Sequence, residues 1–316
     1  MQAILGATGQ IGEELARELK RNFTSEIRIV SRNPIKVNDT DELFSADISI
    51  RERAIEAVRG SEIAYFTLGL PANTELWEKN FPLMLRNVIA ACKINGTRLV
   101  FFDNTYMYPQ DGRILTEKTV FAPVGRKGRV RKKMAEMILK EIESGELEAV
   151  ICRAPEFYGP GKTQSITNTL IFNNIQKEKK LKVPLSAHKK RSLIWTPDAS
   201  RATALIGNTR DAYGQTWHLP VDKSHPTYQE FIRIASIIYN RDLKYSLVSK
   251  LAFKLGSLFN KNIKELLELL SRYKYDNIFD DSKFRERFPE FQTTTYEQGI
   301  STIRDEQNLV RYKSVN

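Results

Sequence analysis

Apolar and polar positions along the first half of the chain follow two alternating periods. Gln2 to Leu5 is a short apolar run that reads as a strand, and from Gln10 to Arg21 the residues Ile11, Leu15 and Leu19 make one helical stripe. Glu26-Ile-Arg-Ile-Val-Ser-Arg32 alternates with the period of a half-buried strand. Leu43 to Ile48 reads as a further strand, Arg51 to Val58 as a short helix, and Ile63 to Gly69 as a central strand. Trp77, Phe81, Leu85, Val88 and Ala91 predict a long amphipathic helix from Thr74 to Ile94, followed by a strand from Arg98 to Asn104. Strand and helix taking turns at this rhythm predict an α/β fold built on a doubly wound parallel sheet. From Pro155 the rhythm breaks, Gly159-Pro160-Gly161 marks a turn, and the segments shorten. The expected organisation is a dinucleotide-binding domain over residues 1–155 and a smaller, substrate-binding region over 156–316, some segments of which return to the sheet.

The join between the first strand and the first helix carries the chemistry. Gly6, Gly9 and Gly12 are spaced by three, with Thr8, Gln10 and Ile11 between them. Gly6 allows a tight turn, Gly9 a close approach of backbone to ligand, and Gly12 close packing of helix on strand. Such a turn offers backbone N–H groups at the positive end of a helix dipole, which suits a pyrophosphate. A glycine-rich turn of no special function is the plainer reading, and the βαβ context favours the dinucleotide one. At the end of the second strand an acidic residue would bind the ribose diol of NAD. This chain has Ser31 and Arg32 there, with Lys36 close behind, which favours NADP over NAD. Asp47 and Ile48 are expected near the adenine, and Thr67, Leu68 and Gly69 beneath the cofactor.

Composition changes this picture little. The 316 residues carry 49 Lys plus Arg against 38 Asp plus Glu, a net charge of +11, which favours anionic ligands. The basic clusters Arg126 to Lys133, Lys177 to Lys182 and Lys189 to Arg191 lack interleaved aromatics, and no helix-turn-helix or zinc pattern accompanies them, so nucleic acid is not the expected partner. No run of about 18 apolar residues appears, and no membrane partner is expected. The first strand begins almost at Met1, and a cytoplasmic location is expected. Cys92 and Cys152 fall in apolar segments and are read as packing residues; His188, His218 and His225 are not at metal spacing, and no metal is expected. His218 is read as a structural donor of the second domain.

With these segments placed, the chain resembles the extended and atypical short-chain dehydrogenase/reductases, the NAD-dependent epimerase/dehydratase family, over nearly its whole length. Five segments carry the likeness in order: Gly6 to Gly12; Asn104-Thr-Tyr-Met-Tyr108; Arg153-Ala-Pro-Glu-Phe-Tyr-Gly-Pro-Gly161; Arg191-Ser-Leu-Ile-Trp-Thr-Pro-Asp198; and Asp280-Asp281-Ser-Lys283. The resemblance implies a Rossmann sheet, a bound nicotinamide dinucleotide, a homodimer formed through the helices around Leu85 and Met134, and an arginine at 191 that meets a substrate phosphate.

It also implies a catalytic Tyr-x-x-x-Lys, in which one helical turn puts a phenol beside an ammonium. Here the chain departs from the family. Lys132 holds the lysine position, for the cofactor ribose, and Gly128 stands at the tyrosine position. Asn104 replaces the usual hydroxyl residue; its amide orients a carbonyl but does not readily relay a proton. Tyr106, Tyr108 and Tyr158 are the alternative phenols, with Tyr106 the first choice and Tyr108 read chiefly as a packing residue; Asp103 is an alternative acceptor or a turn residue. Arg129 and Arg131 are forked donors suited to a substrate carboxylate or phosphate, in space that Gly128 leaves open. Tyr158 and Arg191 are further substrate candidates. Two functions stay open: an NADP-dependent oxidoreductase or sugar-nucleotide epimerase or dehydratase with a rewired proton donor, acting on a small, anionic or nucleotide-linked substrate, and an inactive NADP-sensing regulator. A nucleic-acid-associated protein is a third.

Overall fold

A computed structural model describes residues 1–161 and 163–315. In chain order the elements are β1 (Gln2–Leu5), α1 (Gln10–Asn22), β2 (Ile27–Ser31), β3 (Glu42–Ser45), α2 (Arg51–Val58), β4 (Ile63–Phe66), α3 (Thr74–Asn95), β5 (Arg98–Asp103), α4 (Arg126–Ser144) and β6 (Ala149–Arg153). There follow β7 (Glu156–Tyr158), α5 (Asn173–Gln176), β8 (Leu181–Pro184), β9 (Leu193–Trp195), α6 (Thr196–Gly207), β10 (Thr216–His218), α7 (Tyr228–Ile238), β11 (Tyr245–Val248), α8 (Lys250–Phe259), α9 (Lys261–Leu266), α10 (Ser282–Arg287) and α11 (Tyr296–Val315).

These elements divide into two interleaved units. The first comprises Met1–Tyr108, Val120–Ala154 and Ala199–Leu219; the second takes Pro109–Thr119, Pro155–Asp198 and the chain from Pro220 on. The division falls next to residue 155, Ala199–Leu219 lies in the first unit as a returning segment, and Pro109–Thr119 belongs to the second.

The first unit is a seven-stranded sheet in the order β10-β6-β5-β4-β1-β2-β3, with every described pairing parallel. Its central strands β1 and β4 are buried at every residue, as a sheet covered on both faces requires. The apolar stripes of α2, α3 and α4 fill one core with strand residues such as Leu5, Phe66 and Phe101. Asn73 starts α3 by accepting the Leu76 N–H at 3.1 Å, and Gly96 ends it in the left-handed conformation at φ 64°. The expected strand over 43–48 is shorter and lies at the sheet edge, and the one over 63–69 leaves the sheet after Phe66. His218, expected in the second domain, lies in the outermost strand of this sheet instead.

In the second unit β7 pairs with β9 and β8 with β11, both parallel. Its core gathers Tyr158, Phe172, Trp195, Phe231 and Tyr296. α7 begins with a reciprocal capping box between Thr227 and Glu230. Among the described residues no helix is long and apolar enough to cross a membrane.

Candidate active site

The strand order of the first unit reverses at β1, which lies between β2 and β4, and ligands of such sheets bind beyond the carboxyl ends at that point. The chain there is shaped for a close approach. Gly6 has φ +100°, and a Cβ on it would lie 3.0 Å from the Leu68 backbone, so the turn and the segment Thr67–Gly69 touch. A Cβ at Gly12 would fall 2.5 Å from the Ala7 Cα, which is how the first turn of α1 comes to lie against the glycine turn. Gly9 caps α1 without any side chain, leaving this helix end for a ligand. Thr67 Oγ1 donates to the Leu5 carbonyl at 3.1 Å, and Ser200 Oγ donates to the Ile11 carbonyl at 3.0 Å, fixing both walls. Thr8 and Gly9 are exposed, and Gln10 is half-buried at the mouth of the turn.

At the end of β2 the Ser31 Oγ is buried without a hydrogen-bond partner, and the Arg32 side chain is exposed. Ile48 is buried, while Asp47 is exposed. Hydrogen bonds from the Ser49 hydroxyl and N–H, at 2.7 and 2.9 Å, together with the charge of Arg32, hold the Asp47 carboxyl below the usual range. A bare helix end, a glycine cradle and an orphaned hydroxyl at β2 fit the two phosphates and the adenosine ribose of a dinucleotide.

The position expected to leave space does the opposite. A Cβ on Gly128 would lie 2.6 Å from the Tyr106 carbonyl oxygen and 2.9 Å from the Pro123 Cβ. Gly128 is therefore glycine because the Asn104–Tyr108 segment packs directly on α4, and no substrate or water fits there. Tyr106 stacks on Trp77 of α3, with centroids 6.1 Å apart and planes at 8°. Asn104 Oδ1 accepts the Tyr106 N–H at 3.0 Å, which shapes the turn. Lys132 is partly exposed, with Nζ 3.7 Å from the Glu136 carboxylate one turn on. Arg129 is exposed on α4. Arg126 binds Glu78, its Nε donating at 2.8 Å.

Beneath this surface lies a buried ionic network. Arg153 Nε and Nη2 donate to Asp103 Oδ2 at 3.3 and 3.2 Å, and Nη1 donates to the Tyr108 phenol oxygen at 2.7 Å. The Tyr108 hydroxyl is also hydrogen-bonded to His218 Nε2, 2.7 Å away, the donor being set by the imidazole tautomer. Arg131 enters from α4, its guanidinium 4.6 Å from the Phe81 centroid and 5.3 Å from that of Trp77. Its Nη1 lies 3.7 Å from Asp103 Oδ1, and neither of these atoms has a hydrogen-bond partner. Burial pushes the Asp103 carboxyl up despite Arg153 and Arg131, and burial likewise pushes Arg131 down. The expectation that Arg131 meets a substrate anion gives way to this pairing. Tyr108, Asp103 and His218 are buried in the same network.

Two substrate candidates fall within the second unit's interior. Tyr158 is packed among Trp195, Phe231 and Tyr296, its hydroxyl without a hydrogen-bond partner, and burial drives its pKa far up. Arg191, expected at a substrate phosphate, is 1% exposed. Its Nη2 donates to Glu156 at 2.6 Å, its Nη1 donates to the Arg272 carbonyl at 2.8 Å, and its guanidinium lies 4.4 Å from the Tyr273 centroid. Within that unit both side chains serve the core.

Residues 3–218 match the family model of the NAD dependent epimerase/dehydratase family. The chain belongs to that family. As a whole-length fold it is similar to the UDP-glucuronic acid 4-epimerase of Bacillus cereus solved with NAD, at TM-score 0.78 and 14% identity, covering 98% of this chain and 99% of that one. It is also similar to the UDP-glucose 4-epimerase of Thermus thermophilus solved with NAD, at TM-score 0.76, 14% identity and coverage of 98% and 99%. A third likeness is to DesIV, the dTDP-glucose 4,6-dehydratase of Streptomyces venezuelae, at TM-score 0.78, 15% identity and coverage of 99% and 98%. A curated relative, the uncharacterized protein y4nL of Sinorhizobium fredii (strain NBRC 101917 / NGR234), is 28% identical over 161 residues. That match spans 49% of this chain and 44% of the relative, less than half the relative's length.

In this epimerase/dehydratase chain the residues that sequence reasoning passed over are Lys127 and Arg153. Lys127 is buried with Nζ 6.0 Å from the Trp77 centroid, and its signal was a cation beside the only small residue in a basic helix start. The signal for Arg153 was an arginine ending an otherwise apolar central strand, where a buried charge demands a partner.

Proposed function

We propose that the chain binds NADP in preference to NAD and acts as an oxidoreductase or sugar-nucleotide epimerase or dehydratase with a relocated proton donor. The observation that carries the reading is the closure of the Gly128 position by the very segment that bears Tyr106. With backbone packed against Gly128, the phenol of this reading is that of Tyr106, carried on the segment that follows β5 instead of on α4. When bound, the nicotinamide supplies or takes a hydride. Lys132 holds the ribose hydroxyls, Asn104 shapes the turn that presents Tyr106, and the Tyr106 hydroxyl moves a proton at the substrate oxygen. Gly6, Thr8, Gly9, Gln10, Ile11 and Gly12 hold the pyrophosphate, and Thr67, Leu68 and Gly69 form the floor. Arg129, exposed on α4, is a cation suited to an anionic or nucleotide-linked substrate.

The preference for NADP rests on Ser31 and Arg32, where no carboxylate ends β2. The two 4-epimerase neighbours above were solved with NAD, so this preference belongs to the present chain's own residues. The packing of Tyr106 on Trp77 favours a second reading, a cofactor-binding regulator without turnover. Homodimerisation through the outward faces of the helices around Leu85 and Met134 remains part of the proposal; Leu85 and Met134 themselves are buried in the first unit's own core, so the contact falls to the exposed residues beside them.

Mixing the protein with NADPH and a panel of nucleotide-sugar and carbonyl compounds tests the proposal. Loss of the reduced-nicotinamide absorbance with one of them, abolished in Tyr106→Phe, is the expected result. NADPH binding with no oxidation across the panel selects the regulator, and oxidation that survives Tyr106→Phe removes Tyr106 from its role.

A further inference from the structure

α8 carries an apolar face on its outer side. Leu251, Leu255, Leu258 and Phe259 recur at helical spacing and are 65%, 56%, 73% and 91% exposed, whereas Phe253 on the opposite side is buried. The inner side is held by packing: a Cβ on Gly256 would lie 3.1 Å from Ile263, so α9 folds back closely against α8. Ser249 caps the helix by accepting the Ala252 N–H at 3.2 Å, which makes it a formed element in the free chain. Scattered surface leucines need no explanation, but a contiguous stripe ending in an almost fully exposed phenylalanine does.

Charge identifies what covers it. From Lys244 to Lys264 the chain has five lysines and no aspartate or glutamate. Lys250, Lys254, Lys261 and Lys264 are all exposed around the apolar stripe. β11, which leads into α8, pairs in register with β8 so that Ser246 stands opposite Lys182, and Lys177, Lys179 and Lys180 precede that strand in an exposed run. The basic cluster over 177–182, which no part of the cofactor chemistry uses, thus precedes the strand that pairs with β11, the strand leading into α8.

We infer that α8 docks on an anionic lipid surface, lying in the interface with Leu251, Leu255, Leu258 and Phe259 in the acyl boundary and the lysines on the headgroups. An amphipathic helix with a lysine rim is built for this position, and lysine stems extend to keep their ammonium groups at headgroup level. A second copy of the chain is a poorer occupant, because a two-fold contact would set the two lysine rims against each other. Among the described residues no helix is long and apolar enough to cross a membrane, so the contact inferred is a surface one, and it departs from the expectation of no membrane partner.

Sedimentation of the full chain with vesicles tests the inference. The protein sediments with phosphatidylglycerol/phosphatidylcholine vesicles and stays in solution with phosphatidylcholine alone. Leu258→Ser/Phe259→Ser lowers the bound fraction about tenfold at unchanged melting temperature, since both side chains are exposed. Lys250→Glu/Lys254→Glu does the same through the charge contribution. Absence of sedimentation with anionic vesicles overturns the inference. So does binding that ignores the Leu258→Ser/Phe259→Ser change, which would be net charge alone. A two-chain mass by light scattering that Phe259→Ser reduces to one would assign the face to a second copy and overturn it as well.

Discussion

Gly128 lies where the Asn104–Tyr108 segment packs directly on α4. Because its Cβ position lies 2.6 Å from a backbone oxygen, a tyrosine there cannot rebuild the family's catalytic pair without moving the Asn104–Tyr108 segment. Gly128→Tyr is expected to lower stability by about 1–3 kcal/mol and to confer no new turnover. Thermal unfolding beside the NADPH assay checks both, and a variant that melts like the parent would show that the segment yields easily. The proposed preference for NADP is argued from Arg32. If it is correct, Arg32→Asp puts a carboxylate where the 2′-phosphate would bind, and the NADP-to-NAD affinity ratio should fall about tenfold or more. Equal ratios in titrations of both cofactors would move the 2′-phosphate contact elsewhere. The glycine turn was legible in sequence because its backbone geometry is local. Arg131 was not, since its partners Asp103, Trp77 and Phe81 come from other elements and nothing in its neighbours in the chain says that it turns inward.

At the scale of elements, periodicity located β1, α1, α2 and α3 nearly to the residue, because each has a continuous buried stripe. Strand ends were longer in sequence than in space. Thr67 to Gly69 continue the apolar run of β4 but leave the sheet to meet Gly6, and apolar pattern alone does not distinguish a strand from the backbone that follows it. The basic start of α4 reads as a solvated helix face, yet Lys127 and Arg131 turn inward onto Trp77. Asp103 is the counter-charge that makes this tolerable, joining β5 to β6 through Arg153 and approaching α4 through Arg131. Asp103→Ala leaves two guanidinium groups buried without it, a loss of about 3–5 kcal/mol. Denaturant unfolding measures this directly. A loss below about 1 kcal/mol would mean that Arg131 and Arg153 find water on their own.

For the molecule as a whole, the βαβ rhythm predicted the sheet, and a return of later segments to it was expected, while the passage of residues 109–119 into the second unit was hidden because it comes without a change in composition. Likewise Arg191 carried a family expectation of substrate contact, and only tertiary structure shows its guanidinium committed to Glu156. That pair sets how the second unit responds to acid. Burial alone would raise the Glu156 pKa, but the charges of Arg191 and Arg272 and the hydrogen bond from Tyr273 outweigh it and hold the group below its ordinary value of 4.5. A carboxylate whose folded pKa is depressed gives stability that is fully present above the unfolded value and is lost as pH falls through the folded one. Glu156→Gln keeps the shape and removes the charge, so it should melt well below the parent at neutral pH. As the pH is lowered beneath about 4.5 the parent loses this contribution while the variant has none to lose, and the gap between their melting temperatures should narrow. A gap that stays constant through the acid range would show that Arg191 and Arg272 contribute by packing and hydrogen bonding to the neutral acid, and that the ionised pair is not what holds β7 to the rest of its unit.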